Sequence, residues 1–108
     1  MRKAIVYFND ILAGELMEMS GMDYAFRYDD DYFGDTTKPS ISLTLPKNKQ
    51  EYHSHGLFPF FFNMLSEGSN RISQSKQLRI DENDHFGILL ATAQSDTAGA
   101  ITVKPVTK

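Results

Sequence analysis

Between Asp23 and Asp29 the chain alternates, with Tyr24, Phe26 and Tyr28 separated by Ala25 and Arg27. A period of two places all three rings on one face of an extended strand. Rings of that size are favourable mainly when removed from water. The chain must therefore build a sheet with one covered side, and the cover must come from elsewhere in its 108 residues.

The neighbouring strands are legible upstream. Lys3 to Phe8 reads as a strand, Asn9-Asp10 as a two-residue turn tolerant of positive φ, and Ile11 to Glu18 as the returning strand of a β-hairpin. Downstream, Asp29 to Lys38 becomes polar and acidic, with Gly34 and Pro39 as breakers, and is expected to be a loop. Ser40 to Leu45 then reads as a short strand ended by Pro46, and Lys47 to Gly56 as a second polar loop.

At Leu57 the apolar period changes. Leu57, Phe60, Phe61, Met64 and Leu65 recur at helical spacing, with Pro59 suited to the first turn and Gly68 to a C-terminal stop, which predicts a helix over Leu57 to Leu65. A second helix is predicted over Ser69 to Gln77, capped by Ser69 and anchored by Ile72 and Leu78. A third starts near Asn83 and carries Phe86, Leu89, Leu90 and Ala93 on one face. It tolerates Gly87 at a loss of about 1 kcal/mol relative to Ala.

After the turn-like Ser95-Asp96-Thr97, Ala98 to Val103 reads as a last strand, with Ile101 and Val103 inward and Thr102 outward. The order implies an α+β domain: a small antiparallel sheet, made of the N-terminal hairpin plus further strands, packed with two or three short helices. The length fits one domain, residues 1–108.

Charge and composition narrow the chemistry. Eleven basic residues against fourteen acidic ones leave a net charge of -3 without a Lys/Arg cluster longer than a pair, which argues against direct nucleic acid binding. No apolar run approaches the roughly 20 residues of a membrane span, and Met1 to Ala4 do not open a signal peptide, so no membrane association and a cytoplasmic location are expected. Zero cysteines remove disulfides, thiol catalysis and thiolate metal sites.

Candidate reactive groups do not assemble into a motif. His53 and His55 in Tyr52-His53-Ser54-His55 offer two nitrogen ligands on a polar segment, whereas structural zinc takes four. Asp29, Asp30, Asp31 and Gly34 resemble a calcium loop until its fifth position, Phe33, and its twelfth, Ser40. Asp81, Glu82 and Asp84 fit a helix N-terminus. There is no Gly-x-Ser-x-Gly turn and no Gly-rich phosphate loop, and His85-Phe86-Gly87 lacks the metal-binding Asp of a kinase. The expectation is a protein that is not an enzyme and carries no cofactor or metal.

On a helical wheel begun at Leu57 the core-facing set is Leu57, Phe60, Phe61 and Met64, and Phe58 and Phe62 are left to one side. Either the domain wraps its longest apolar helix on both flanks, or the two surplus rings anchor a protein partner. Ser66, Glu67, Ser69 and Arg71 would then form the polar rim, although Arg71 alone also suits a surface ion pair.

The order of short motifs resembles the N-terminal subdomain shared by HipA kinases and by HipS-type proteins of three-component HipBST toxin systems. It runs from Val6-Tyr7-Phe8-Asn9 and Ala13-Gly14-Glu15-Leu16 through Phe26-Arg27-Tyr28-Asp29 to Ser40-Ile41-Ser42-Leu43 with Leu45-Pro46. It continues with Phe58-Pro59-Phe60-Phe61-Phe62-Asn63-Met64-Leu65-Ser66-Glu67-Gly68, Arg71, Asp84, Phe86, Leu89-Leu90 and Ala98-Gly99-Ala100-Ile101. The family's Leu-Pro-Glu-Gly stands here as Leu65-Ser66-Glu67-Gly68, which relaxes the helix end, and its Gly-x-Asp-Cys as Gln94-Ser95-Asp96-Thr97. The subdomain normally precedes a kinase domain, and the sequence ending at Lys108 favours the HipS type.

The resemblance implies a HipA N-terminal fold and an antitoxin that binds and silences a separate HipT-like serine/threonine kinase toxin, with a HipB-like DNA-binding protein as third member. The implied contact segment runs from Phe58 to Arg71, with Phe58, Phe62, Met64, Leu65, Ser66, Glu67, Ser69 and Arg71 as candidate contacts. The alternative within the same class is an excised HipA piece that docks a HipB-like protein without inhibiting a kinase.

Overall fold

The computed structural model describes residues 2–19, 22–65, 73, 76–81, 83–92 and 100–106. Five antiparallel strands, β1 (Arg2–Phe8), β2 (Ile11–Glu18), β3 (Asp23–Tyr28), β4 (Glu51–His55) and β5 (Ile101–Pro105), form one sheet in the order β4-β3-β2-β1-β5. The helices are α1 (Asp30–Gly34), α2 (Pro59–Phe62) and α3 (His85–Thr92), and Ser73 and residues 76–78 are also helical.

The β1–β2 hairpin forms as its turn chemistry dictates. Asn9 and Asp10 both take positive φ, 50° and 65°, the backbone of a type I′ turn. Val6 faces Gly14 but Tyr7 faces Leu12, so Ala13 is the extra residue of a β-bulge. Its carbonyl turns out of the ladder and accepts the Asp29 amide at 2.8 Å, which fixes where β3 hands over to α1. Gly14 is required beside it, because a Cβ there would lie 2.4 Å from the Arg27 carbonyl oxygen.

The ring stripe of β3 organises the covered face. Tyr24 carries Phe86 of α3 at 5.7 Å between ring centroids, Phe26 carries Phe61 of α2 at 5.9 Å, and Tyr28 stacks on Tyr32 of α1 at 5.9 Å. Each ring of one strand thus holds one helix, and Phe26, Tyr28, Phe61 and Phe86 are sealed from solvent. Ile101 and Val103 of β5 close the far side of the core as the alternation predicts, whereas Thr102 is half-buried rather than fully outward.

Arg2 clamps the sheet to α3. Its guanidinium grips Glu18 at 2.7 and 2.9 Å and Asp84 at 2.8 and 3.1 Å, and lies 5.2 Å from the Phe86 ring centroid. Asp84 also accepts the Gly87 amide at 3.1 Å, an N-cap bond that starts α3. A Cβ at Gly87 would meet that carboxylate at 2.4 Å, so the helix-weakening glycine is what lets Asp84 reach both partners. Hydrogen bonds from Arg2 hold the Glu18 and Asp84 carboxyls below their ordinary range, and burial pushes the Tyr24 phenol up to about 12.

Several expected boundaries are corrected. The segment Asp29 to Lys38 contains α1, because Asp29 Oδ2 accepts the Asp31 amide at 3.2 Å and the Tyr32 amide at 3.4 Å as an N-cap. Ser40 to Leu45 is a turn, not a strand, and the fourth strand lies within the supposed loop, as β4. Ser42 Oγ accepts the Thr44 amide at 3.1 Å, and the Leu45 amide donates to the Ser42 carbonyl, so local bonds replace a ladder. α2 is one turn long, α3 starts at His85, and β5 runs from Ile101 to Pro105. Most of the predicted helix Ser69 to Gln77, together with Gly68, Ala93 and Ala98, lies outside the described residues.

Candidate functional site

The segment expected to face a partner begins at α2. Phe58 is its N-cap, with φ -54° and ψ 137°, so it precedes the helix in extended backbone and a 100° wheel does not apply to it. Its ring turns into the core, 6 % exposed and edge-on to Phe61 at 6.3 Å. Phe58 is therefore not a surplus ring, and that expectation is corrected. Leu65 is buried as well, at 5 %.

Phe62 fits the expectation better. It is half-buried, with His85 of α3 edge-on at 5.0 Å. Leu57, Phe60 and Met64, read from the wheel as core residues, are likewise only half-buried and pack against the margin of the core. The rings available at this surface are thus Phe60 and Phe62, beside Leu57 and Met64. Ser66, Glu67, Ser69 and Arg71 lie outside the described residues.

His53 and His55 share one face of the edge strand β4, exposed, with Nε2 of His53 2.5 Å from Glu51 and Nδ1 of His55 2.9 Å from Asp23. Together with Met19, Tyr24 and Ser54 they line an open cleft of about 460 Å³. Among the described residues no group of three or more His, Cys, Asp or Glu side chains is placed to hold a metal ion. The acidic run Asp29 to Asp31 is the start of α1.

One feature escaped the sequence reading: the turn at residues 40–45 projects Leu43, which is 99 % exposed. The apolar residues on either side, Ile41 and Leu45, are buried. Hydroxyls at positions 42 and 44, which compete for the backbone, are the signal that could have identified it. Among the described residues no helix is long and apolar enough to cross a membrane.

Comparison with known proteins agrees with this architecture. The family model described as the HipA N-terminal domain matches residues 4–104. An uncharacterised Haemophilus influenzae protein is 31% identical over 96 residues, a match covering 86% of this chain and 86% of that protein. A Sinorhizobium fredii protein carrying the name "Putative kinase Y4mE" is 26% identical over 100 residues, covering 93% of this chain but only 24% of the longer protein. A solved structure described as the N-terminal domain of HipA toxin superposes with a TM-score of 0.75 at 29% identity, covering all of this chain and 95% of that one. With a five-stranded sheet of matching fold and a family match across nearly its whole length, this chain belongs to the HipA N-terminal domain family.

Proposed function

We propose that this chain is a cytoplasmic antitoxin that binds a separate HipT-like serine/threonine kinase toxin and holds it inactive, with a HipB-like DNA-binding protein as third partner. The observation that carries the reading is the contrast between two relatives. The same domain is 24% of a protein named as a putative kinase and 86% of a small Haemophilus influenzae protein. A module that occurs both joined to a larger chain and nearly by itself is suited to dock against that larger partner when the two are separate.

The chemistry is compatible with a non-catalytic binding role. Among the described residues, the carboxylates of Glu18 and Asp84 serve the Arg2 clamp, and that of Asp29 caps α1. A domain of this size can offer on the order of 800 Å² to a partner, enough for a stable interface. Phe62 and Met64 remain the candidate apolar contacts, with Ser66, Glu67, Ser69 and Arg71 proposed as rim, while Phe58 and Leu65 support them from the core.

Co-expression with a HipT-like kinase from the adjacent reading frame tests the reading. Wild type restores growth and co-purifies with the kinase, and Phe62→Ala with Met64→Ala weakens both. A kinase that stays lethal and unassociated beside the wild-type chain refutes the proposal. Association with a HipB-like protein alone, without kinase inhibition, would favour the docking role instead.

A further inference from the structure

The sheet has two edges, β4 and β5, and treats them differently. The Asn9 amide donates to the Ala100 carbonyl at 2.9 Å and the Val106 amide to the Lys3 carbonyl at 3.2 Å, so residues 100, 102, 104 and 106 bond to β1. Residues 101, 103 and 105 face away from β1, and Pro105 has no N–H to offer there. Lys104 stands exposed beside it. Proline and lysine are the residues with which edge strands are kept from pairing.

β4 carries neither. The Tyr28 amide donates to the Gln50 carbonyl at 2.9 Å and the Gly56 amide to the Met22 carbonyl, so residues 50, 52, 54 and 56 face β3. By alternation the amides and carbonyls of Glu51, His53 and His55 face away from it. Among the described residues none of these six backbone groups has a hydrogen-bond partner. The register against β3 runs without a bulge from Asp23↔His55 to Arg27↔Glu51, so the unpaired row is regular. The open cleft of about 460 Å³ touches Tyr24 and Ser54 on the covered side of the sheet and His53 and His55 on the other, which places it at the margin of this strand.

Such a row accepts an extended main chain, whose own N–H and C=O groups repeat at the same two-residue spacing. The side chains select which one. Laid antiparallel on itself about His53, β4 sets Glu51 opposite His55 of the partner subunit at both ends and Tyr52 opposite Ser54 of the partner subunit, and this register pairs all five residues of the strand. A parallel pairing in register would instead set Glu51 beside Glu51 of the partner subunit, which is repulsive. Within each copy Glu51 is already balanced by His53 at 2.5 Å and Arg27 at 3.8 Å, and His55 by Asp23 at 2.9 Å. A second copy therefore brings no unpaired charge to the seam, and the unpaired backbone carries the contact.

We propose that β4 is a homodimerisation edge: two copies of this chain join antiparallel at residues 51–55, about a twofold axis at His53, into one continuous sheet. That axis is perpendicular to the sheet, so α2 of both copies lies on the same side and the dimer presents two Phe62 surfaces in one direction. A single short strand pair belongs with the small interfaces, below about 1,200 Å², so the dimer is weak and concentration-dependent. Homodimerisation of this kind does not require the function proposed above.

Sedimentation equilibrium of the purified chain up to about 1 mM tests this, and wild type is expected to show a reversible monomer–dimer equilibrium. His53→Pro removes an amide that β3 does not use, as Pro105 does in β5, so it is expected to keep the wild-type circular dichroism spectrum. It deletes two hydrogen bonds of the seam and should weaken the dimer by about tenfold or more. Because the chain has no cysteine, His53→Cys puts the only thiol of each copy at the axis, where facing Cα atoms about 5.5 Å apart are within disulfide reach. Under a mild oxidant it is expected to form a disulfide dimer far faster than Leu43→Cys, at a side chain that is 99 % exposed. A wild-type chain that stays monomeric at about 1 mM overturns the proposal, as does a dimer that His53→Pro leaves at full strength. Equal cross-linking rates for the two cysteine variants also refute the seam, whether or not His53→Pro folds. If wild type is monomeric and His53→Pro instead loses binding to a HipT-like kinase, the edge receives a strand of that protein and the second copy is refuted.

Discussion

Tyr28→Phe isolates the hydroxyl that joins the core to the loop. The ring is fully buried, T-shaped against Phe26 at 4.9 Å and stacked on Tyr32, and phenylalanine keeps both contacts. What disappears is one oxygen that accepts the Ile41 amide and donates to the Leu45 carbonyl, in residues that are themselves 7 % and 2 % exposed. Leaving a buried polar group unpaired costs about 1–3 kcal/mol, so two such groups, partly relieved by relaxation of a surface loop, should cost about 2–3 kcal/mol. For a domain near this size that lowers the melting temperature by roughly 10–20 °C. Guanidinium unfolding followed by circular dichroism reads the loss as a lower midpoint at unchanged m, and hydrogen exchange should show the Ile41 amide exchanging much faster. A loss below about 0.5 kcal/mol with Ile41 still protected would refute the claim that Tyr28 fastens this loop.

Gly14→Ala should destabilise by about 1–3 kcal/mol in the same unfolding assay, because the new Cβ would meet the Arg27 carbonyl oxygen at 2.4 Å and backbone must move. Phe61→Ala removes the fully buried ring that joins α2 to Phe26 and should cost about 3–5 kcal/mol in the same assay. Arg2 hydrogen bonds lower the carboxyls of Glu18 and Asp84 from 4.5 and 3.8. Lowered carboxyls stabilise the fold above their ordinary values and lose that contribution as the pH falls through the lower folded ones. Unfolding midpoints should therefore drop as the pH falls below the ordinary carboxyl range, and Arg2→Met should flatten that drop; parallel pH profiles for the two proteins would contradict the clamp.

Local information specifies the hairpin turn and the covered face of β3. Asn9-Asp10 specifies its own turn, with positive φ at both residues, and the alternation of Tyr24, Phe26 and Tyr28 fixes a face without reference to anything distant. Residues 40–45 and β4 are each the reverse of what their local pattern predicts, for a physical reason. Ser40 to Leu45 alternates like a strand, yet Ile41 and Leu45 are the buried pair and Leu43 points away from the protein, because side-chain hydroxyls and Tyr28 satisfy the backbone locally. Glu51 to His55 looks like loop because an edge strand with one open face needs little apolar surface; Tyr52 and Ser54 on its inner side are only half-buried. At α2 the spacing predicts a helix over Leu57 to Leu65, but only Pro59–Phe62 is helical, Phe61 alone of the expected core-facing set is fully buried, and Phe58 meets Phe61 from extended backbone before the helix begins. The bracing of residues 40–47 depends on Tyr28, Tyr32 and Tyr52, which come from separate elements, and no window along the chain brings those together.

Under the proposed function this domain acts by occupying a kinase. The direct measurement is the autophosphorylation rate of a purified HipT-like kinase as the chain is titrated in, with complex formation followed in parallel by calorimetry. A saturable stoichiometric complex and loss of kinase activity at equivalence are expected. A kinase that phosphorylates at its full rate in excess of this chain, with no heat of binding, would contradict that function.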